Sequence, residues 1–273
     1  MTLLDTKAGR LWRIFGTGLV FILFGLGAVL LSLTAFPVLR LMSANTRSAR
    51  PRIQHAMQLT FRLYVELMRG LGLLTYEVEG LDRLNVPGRL VVANHPSLID
   101  VVFLVSFMPQ VDCIVKQGLW RNPFLRWPVL WASYIPNSSG ESLIEDCSRT
   151  LKRGNSLLVF PEGTRSMPGQ PLRMQRGAAH IALAAQADIL PVKIFCTEPM
   201  LTKGYPWHRA PQRRPHFRIV VGTPVPPSVY IKEAEAGAVA ARRLTRFFRD
   251  YFADTVTEHP ACGMSESHVR AAV

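Results

Sequence analysis

Acidic residues are scarce in this chain. It carries 19 Asp and Glu against 32 Lys and Arg, a formal net charge of +13 over 273 residues. Such an excess is silent about fold but favours anionic partners: nucleic acid, an anionic bilayer face or an acidic carrier protein. Cysteine is scarce too. Cys113, Cys147, Cys196 and Cys262 lie far apart, with no CxxC pair and no His/Cys ligand spacing. That argues against a structural zinc or a disulfide framework, and for reduced thiols in a cytosol-facing protein. No G-x-S-x-G occurs, and "NSSGES" (137–142) does not replace it, so the nucleophile elbow of a serine hydrolase or thioesterase is missing. Internal repeats and low-complexity segments are absent as well. No nucleic-acid-binding motif accompanies the basic charge, and the long apolar N-terminus argues against such a partner.

Charge of either sign is missing from Ile14 to Leu39, "IFGTGLVFILFGLGAVLLSLTAFPVL". As a helix this stretch reaches ~39 Å, enough for a ~30 Å hydrocarbon core. A signal peptide is the competing reading, but the run is too long for its apolar region and no small-x-small cleavage site follows cleanly. Lys7, Arg10 and Arg13 precede the run and Arg40, Arg47, Arg50 and Arg52 follow it, so the positive-inside rule barely chooses an orientation. A re-entrant or in-plane segment, bent at its glycines or at Pro37, would leave both basic flanks on one anionic leaflet. A second stretch, 53–74, repeats apolar residues at helical spacing through Ile53, Met57, Phe61, Tyr64, Val65, Met68 and Leu71. It reads equally as a core-packed or an interfacial helix. Residues 1–74 are therefore expected to form N-terminal membrane-anchoring helices.

From residue 75 the pattern changes. Apolar runs at 89–93, 111–115, 156–160, 189–195 and 217–221 read as strands, and stretches 97–108, 142–153 and 174–187 between them as helices. A final helix is expected over 233–256, followed by a disordered tail at 257–273. This alternation predicts an α/β domain over 75–256, a mixed sheet flanked by helices. A chain of this length can bury one good-sized core.

Two polar clusters interrupt the apolar pattern where strands end. In "ANHPSLIDVVFL" (93–104), Pro96 suits a first helical position, and Ser97 and Asp100 fall in or near the first turn. A histidine here can fold back to an aspartate one turn on, which holds its tautomer and leaves the other nitrogen free as a general base. A helix-capping cluster with His95 merely exposed is the other reading of this stretch. In "LVFPEGTRS" (158–166), Gly163 permits close approach or positive φ, and Arg165 offers a fork of donors to phosphate or carboxylate. Thr164 and Ser166 add neutral donors, while Glu162 with Arg165 alone could be a structural ion pair. Two such clusters in one α/β domain point to a ligand site at the carboxyl edge of a sheet.

These residues carry a resemblance. "NHPSLID" resembles the NH-x4-D block of the glycerolipid acyltransferases that make phosphatidic acid from lysophosphatidic acid, and "FPEGTRS" resembles their third block. "ILPVKI" (189–194) is similar to the fourth. "MQRGAAHIA" (174–182) and "IVKQGLWRNP" (114–123) are similar to the basic segments after the third and first blocks. The resemblance implies an O-acyltransferase with His95 as base and Asp100 orienting it. It further implies Glu162, Gly163, Thr164 and Arg165 at the acceptor, with Lys116 and Arg176 as further substrate-binding candidates. The donor would be acyl-CoA or an acyl-carrier protein and the acceptor a lysolipid, with no metal and no cofactor. The implied location is the cytoplasmic face of a membrane with an anionic surface, without nucleic acid. One block departs from the family. Where an acid and an arginine are usual, "ASYIPNSSG" (132–140) has Pro136 and Asn137, which opens the acceptor to a different lysolipid or a hydroxylated acyl chain. A non-catalytic lipid-binding relative should have lost His95 or Asp100, and both are present.

Overall fold

The computed structural model describes residues 7–43, 45–137, 140–167, 170–232 and 237–257. Cys262, the tail from 258 onward and the first residues of the expected last helix lie outside them.

Short β-branched stretches flanked by turns form the strands β1 (Thr75–Glu79), β2 (Leu90–Ala93), β3 (Val111–Val115), β4 (Ile135–Pro136), β5 (Ser156–Val159), β6 (Ile189–Cys196) and β7 (His216–Val221). They make one sheet in the order β1-β7-β6-β2-β5-β3-β4. Every pairing is parallel except β6 with β7, so the sheet is mixed, as expected. Four helices of the α/β body, α4 (Asp100–Phe107), α5 (Arg126–Trp131), α6 (Glu141–Lys152) and α7 (Gly177–Ala185), lie in the connections between parallel strands. Two more, α8 (Gly237–Tyr251) and α9 (Asp254–Thr257), follow β7.

The central strands β2 and β5 are buried at all four positions, which is why they read as unbroken apolar runs. Their alternate residues serve two cores. Leu90, Val92, Leu157 and Val159 join α6, α7 and α8 on one face. Val91, Ala93 and Leu158, with Leu190 of β6, join α4 and the N-terminal helices on the other. Each fully buried Leu or Val contributes ~1.5–3 kcal/mol.

Three N-terminal helices, α1 (Lys7–Leu33), α2 (Ala35–Leu41) and α3 (Thr46–Gly70), pack onto this second core. Asn45 and Ser48 start α3 with a reciprocal capping box. Its Ile53, Met57, Tyr64, Val65 and Met68 are buried, whereas Leu59, Leu63 and Leu67 face outward. Thus the same helix has a core stripe and an exposed apolar stripe. Lys7–Leu41 is long and apolar enough to cross a membrane by length and composition.

Several boundaries differ from expectation, the stretch 53–74 among them, since α3 covers Thr46–Gly70. Helix α4 begins at Asp100, not at 97, and Pro96 lies in the preceding loop. Ser97 and Leu98 are diverted there, since Ser97 Oγ–H donates to Met200 O at 2.7 Å and Leu98 N–H to Leu201 O at 3.2 Å. Helix α7 begins at Gly177, because Gln175 N–H is drawn to Pro161 O at 2.7 Å. The last helix is broken between Tyr251 and Asp254. Strand β1 was not expected. Its "TYEVE" alternation suits the sheet edge it occupies, with the exposed side chains polar.

Candidate functional site

Strand β2 leaves the sheet at Asn94, whose side chain continues the ladder in place of backbone. Its Nδ2–H donates to Ile194 O at 2.8 Å and its Oδ1 accepts from Ile194 N–H at 2.7 Å. The next residue, His95, is thereby fixed at the carboxyl end of the central strand. Its ring lies over Phe160, centroids 4.2 Å apart and planes 25° apart. Nδ1 is 2.8 Å from Asp100 Oδ2, and that oxygen also accepts the Ser97 N–H at 2.7 Å. One carboxylate therefore both closes the turn before α4 and orients the imidazole, so the capping and the orienting readings describe the same geometry. The carboxylate puts the ring proton on Nδ1 and leaves Nε2 as the free acceptor. The Asp100 side chain is fully buried and that of His95 is 15% exposed, so the ring is the pair's route to solvent.

The loop after β5 is stitched to this turn. Glu162, itself buried, accepts at Oε1 from His95 N–H and from Ser166 Oγ–H, both at 2.9 Å. Ser166 N–H returns a bond to His95 O at 2.7 Å. Gly163 turns the loop with φ +67°, and its N–H donates to Phe160 O at 3.0 Å. Space would admit a Cβ there, so it is this backbone conformation that favours glycine. Arg165 donates from Nη1 to Leu201 O at 2.7 Å.

Burial raises the Asp100 carboxyl above its usual range, opposed by His95, by the Ser97 N–H and by the positive charge of Arg165. Burial raises Glu162 as well, opposed chiefly by the His95 and Ser166 hydrogen bonds. A buried acid hydrogen-bonded to an imidazole that is only 15% exposed can stabilise an imidazolium when one forms. The arrangement is therefore suited to drawing a proton from a hydroxyl at Nε2.

His95, Asp100, Glu162 and Arg165 come together, as the two motifs suggested. Thr164 is half-buried beside them. Lys116 and Arg176 are exposed, at the end of β3 and at the N-cap of α7. Among the described residues neither bonds to the His95–Asp100 pair. Strands β2, β5, β3 and β4 run parallel, so the loops bearing His95, Glu162, Lys116 and Asn137 leave from one edge of the sheet. Asn137 N–H donates to Val115 O at 2.8 Å, which sets Asn137 beside Lys116. Sequence reasoning missed the Met200–Leu201 segment. It acts through carbonyl oxygens, which no side-chain pattern reveals; its one oddity is Leu201 at φ +53°. Among the described residues no group of three or more His, Cys, Asp or Glu could hold a metal ion.

The family model described as "Acyltransferase" matches residues 75–195. The 1-acyl-sn-glycerol-3-phosphate acyltransferase of Pseudomonas aeruginosa is 28% identical over 172 residues, 60% of this chain and 67% of that protein. Its Saccharomyces cerevisiae counterpart is 29% identical over 162 residues, 56% of this chain and 54% of that one. The match to the chloroplastic enzyme LPAT1 of Arabidopsis thaliana spans only 38% of that relative's length. The crystal structure of the 1-acyl-sn-glycerophosphate (LPA) acyltransferase PlsC from Thermotoga maritima shares the fold, with a TM-score of 0.65 at 20% identity over 93% of this chain and 99% of that one. Residues 75–195, the stretch that carries both polar loops, are thus similar to the acyltransferase family.

Proposed function

We propose that this protein is a membrane-associated O-acyltransferase that moves a fatty acyl group from acyl-CoA or an acyl-carrier-protein thioester to a lysolipid hydroxyl. The leading acceptor is 1-acylglycerol-3-phosphate, giving phosphatidic acid. The reading rests above all on the 2.8 Å contact between His95 Nδ1 and the buried Asp100, stitched through Glu162 to the loop of Arg165. His95 Nε2 takes the acceptor's hydroxyl proton as that oxygen attacks the thioester carbonyl carbon. The tetrahedral adduct then breaks its C–S bond, and the departing thiolate receives the proton from the imidazolium. Asp100 stabilises that cation without leaving its pocket. Arg165 spends one N–H on Leu201 O and offers the rest of its fork to the acceptor phosphate. Lys116, Thr164, Gly163 and Arg176 line the same loops as lesser contacts. Glu162 serves by holding the His95 backbone, since its Oε1 is already engaged.

Residues Gly9, Arg13, Gly16, Thr17 and Val20 press one side of α1 against the protein, while Leu11, Phe15, Ile22, Leu26, Leu30 and Leu33 face outward. A helix docked along one side and apolar along the other favours lying against the cytoplasmic leaflet over crossing it. A second acceptor reading follows from Asn137. Without an arginine in that block, a different lysolipid or a hydroxyacyl acceptor fits the same chemistry.

The test is acyl transfer by membranes containing the protein, with labelled acyl-CoA or acyl-carrier protein and a panel of lysolipids, beside His95→Ala. Phosphatidate formed only by the wild type is the expected result. Transfer only to an acceptor without phosphate favours the second reading. No His95-dependent transfer from folded protein refutes both.

A further inference from the structure

Within the connection between β6 and β7, the stretch "TKGYPWHRAPQRRP" (202–215) plays no part in the chemistry above, yet its composition is unusual. It carries Lys203, Arg209, Arg213 and Arg214, and no acid occurs from Pro199 to Lys232. Tyr205 and Trp207 are 36% and 48% exposed on it. Arg209 lies over the Tyr205 ring, 4.4 Å from its centroid. The loop is also held against α1. Arg10 Nε–H donates to Ala210 O at 3.2 Å, and Arg13, only 2% exposed, donates to the carbonyls of Pro211 and Gln212.

Trp207 seats on Gly18, where an added Cβ would come within 3.2 Å of the indole, and meets the Phe21 ring edge-on at 6.2 Å. At ~100° per residue, Gly18 and Phe21 lie along one edge of the outward stripe of Leu11, Phe15, Ile22 and Leu26. The indole therefore borders the apolar face of α1, and the cations stand on the same loop. Indole and phenol rings settle at the boundary between acyl chains and headgroups, and nearby cations are drawn to anionic lipid.

We propose that the 202–214 loop is a second lipid-contact surface, in which Trp207 and Tyr205 enter the headgroup region beside α1 while Lys203, Arg209, Arg213 and Arg214 meet anionic headgroups. The proposal rests on the membrane association of α1 argued above, and it assigns the loop a preference for anionic lipid that an apolar helix alone does not supply. The two residues just before the loop give Met200 O to Ser97 and Leu201 O to Arg165, so its seat on the bilayer adjoins the scaffold of the site.

Two readouts on the full chain test it, using vesicles of phosphatidylcholine alone or mixed with phosphatidylglycerol. In the first, Trp207→Cys in a Cys262→Ser background carries an environment-sensitive fluorophore. Its emission should shift to the blue on binding mixed vesicles. In the second, Lys203→Gln, Arg213→Gln and Arg214→Gln are combined. Flotation should show mixed-vesicle partition reduced ~100-fold, about fivefold per cation. Binding to phosphatidylcholine alone, thermal unfolding and transfer to a monomeric short-chain acceptor should be unchanged. A wild-type chain that floats while position 207 stays in water, or a triple variant that partitions like wild type, overturns the loop proposal and leaves the α1 reading intact. A wild-type chain that does not float overturns both. Loss of binding by the triple variant to an RNA oligomer, but not to vesicles, would assign the loop to nucleic acid instead.

Discussion

Glu162 Oε1 lies 2.9 Å from the backbone nitrogen of His95, so a carboxylate from one motif holds the main chain of the other. Removing it strands a buried N–H, which costs ~1–3 kcal/mol. Glu162→Ala should therefore lower stability by that order and reduce kcat ~10–100-fold as the imidazole loses its aim. The acceptor KM should move little, because the carboxylate faces His95 and Ser166. Glu162→Gln keeps an acceptor oxygen and should recover most of the loss. Steady-state kinetics on the three proteins decide this, and a rise in KM alone would instead put Glu162 in contact with acceptor.

Asp100 should separate activity from stability. Asp100→Asn keeps the shape, and an amide oxygen in the place of Oδ2 can still accept from Ser97 N–H and His95 Nδ1–H, but it carries no negative charge to balance an imidazolium. A fall in kcat of about 10³–10⁴-fold is expected, the scale of such a change in a His–Asp pair. The folded state should persist, as judged by circular dichroism and thermal melting. Retained activity would mean that the histidine works without its aspartate.

The same variant carries a pH signature. Burial raises the Asp100 carboxyl in the folded chain, so the folded state holds its proton more tightly than the unfolded state. This contribution to stability is fully present below the unfolded value of ~3.9. It is lost as pH rises through the raised folded value and stays lost above it. Asp100→Asn has no such proton to lose. The unfolding free energy of the variant minus that of wild type should therefore increase with pH across that window and then level off. Urea unfolding across the acid-to-neutral range measures it. A difference that falls with rising pH would mean that His95 and Arg165 outweigh burial.

The legibility of this chain follows the physics of each element. Strands β2 and β5 are covered on both faces, so their sequences are apolar throughout and readable. Strand β1 lies at the sheet edge, and "TYEVE" offers only partial alternation. The roles proposed for His95, Asp100 and Arg165 were legible because they fall to side chains. Met200 and Leu201 act through carbonyl oxygens, and any residue able to hold that backbone would supply them. The start of α4 was misplaced for a related reason. Pro96 marks where a helix can begin, but tertiary bonds from Ser97 and Leu98 delay it to Asp100.

Helix α3 is tied to the sheet by Arg50 and Gln54, which both donate to Asp112 Oδ1 on β3. The Asp112 side chain is 1% exposed and that of Arg50 is 21% exposed. Losing the arginine leaves a desolvated carboxylate with only the neutral donors Gln54 and Thr150. Arg50→Met should cost ~2–3 kcal/mol, less than for a fully buried pair because water reaches the guanidinium. Adding Asp112→Leu should restore much of that loss. Denaturant unfolding of the single and double variants measures the coupling, and a double variant no more stable than Arg50→Met would show that the carboxylate is not the source of the cost.

Asn137 and Lys116 stand side by side at the ends of β4 and β3, in the stretch where the family resemblance led to the expectation of an arginine. If Lys116 supplies the second cation for an acceptor phosphate, Lys116→Gln should raise the KM for lysophosphatidate ~10-fold and leave kcat nearly unchanged. That is the pattern of lost ground-state binding, worth about one charge-assisted hydrogen bond. Asn137→Arg should act in the opposite sense, lowering that KM several-fold while leaving a lysolipid without a terminal phosphate unaffected. Both substitutions sit on exposed side chains, so neither should disturb folding. If Lys116→Gln leaves the KM unchanged while Asn137→Arg lowers it, the native site binds phosphate through Arg165 without Lys116. If neither substitution moves the KM for lysophosphatidate, the acceptor's polar group lies elsewhere on the carboxyl edge, and the acceptor without phosphate becomes the better reading.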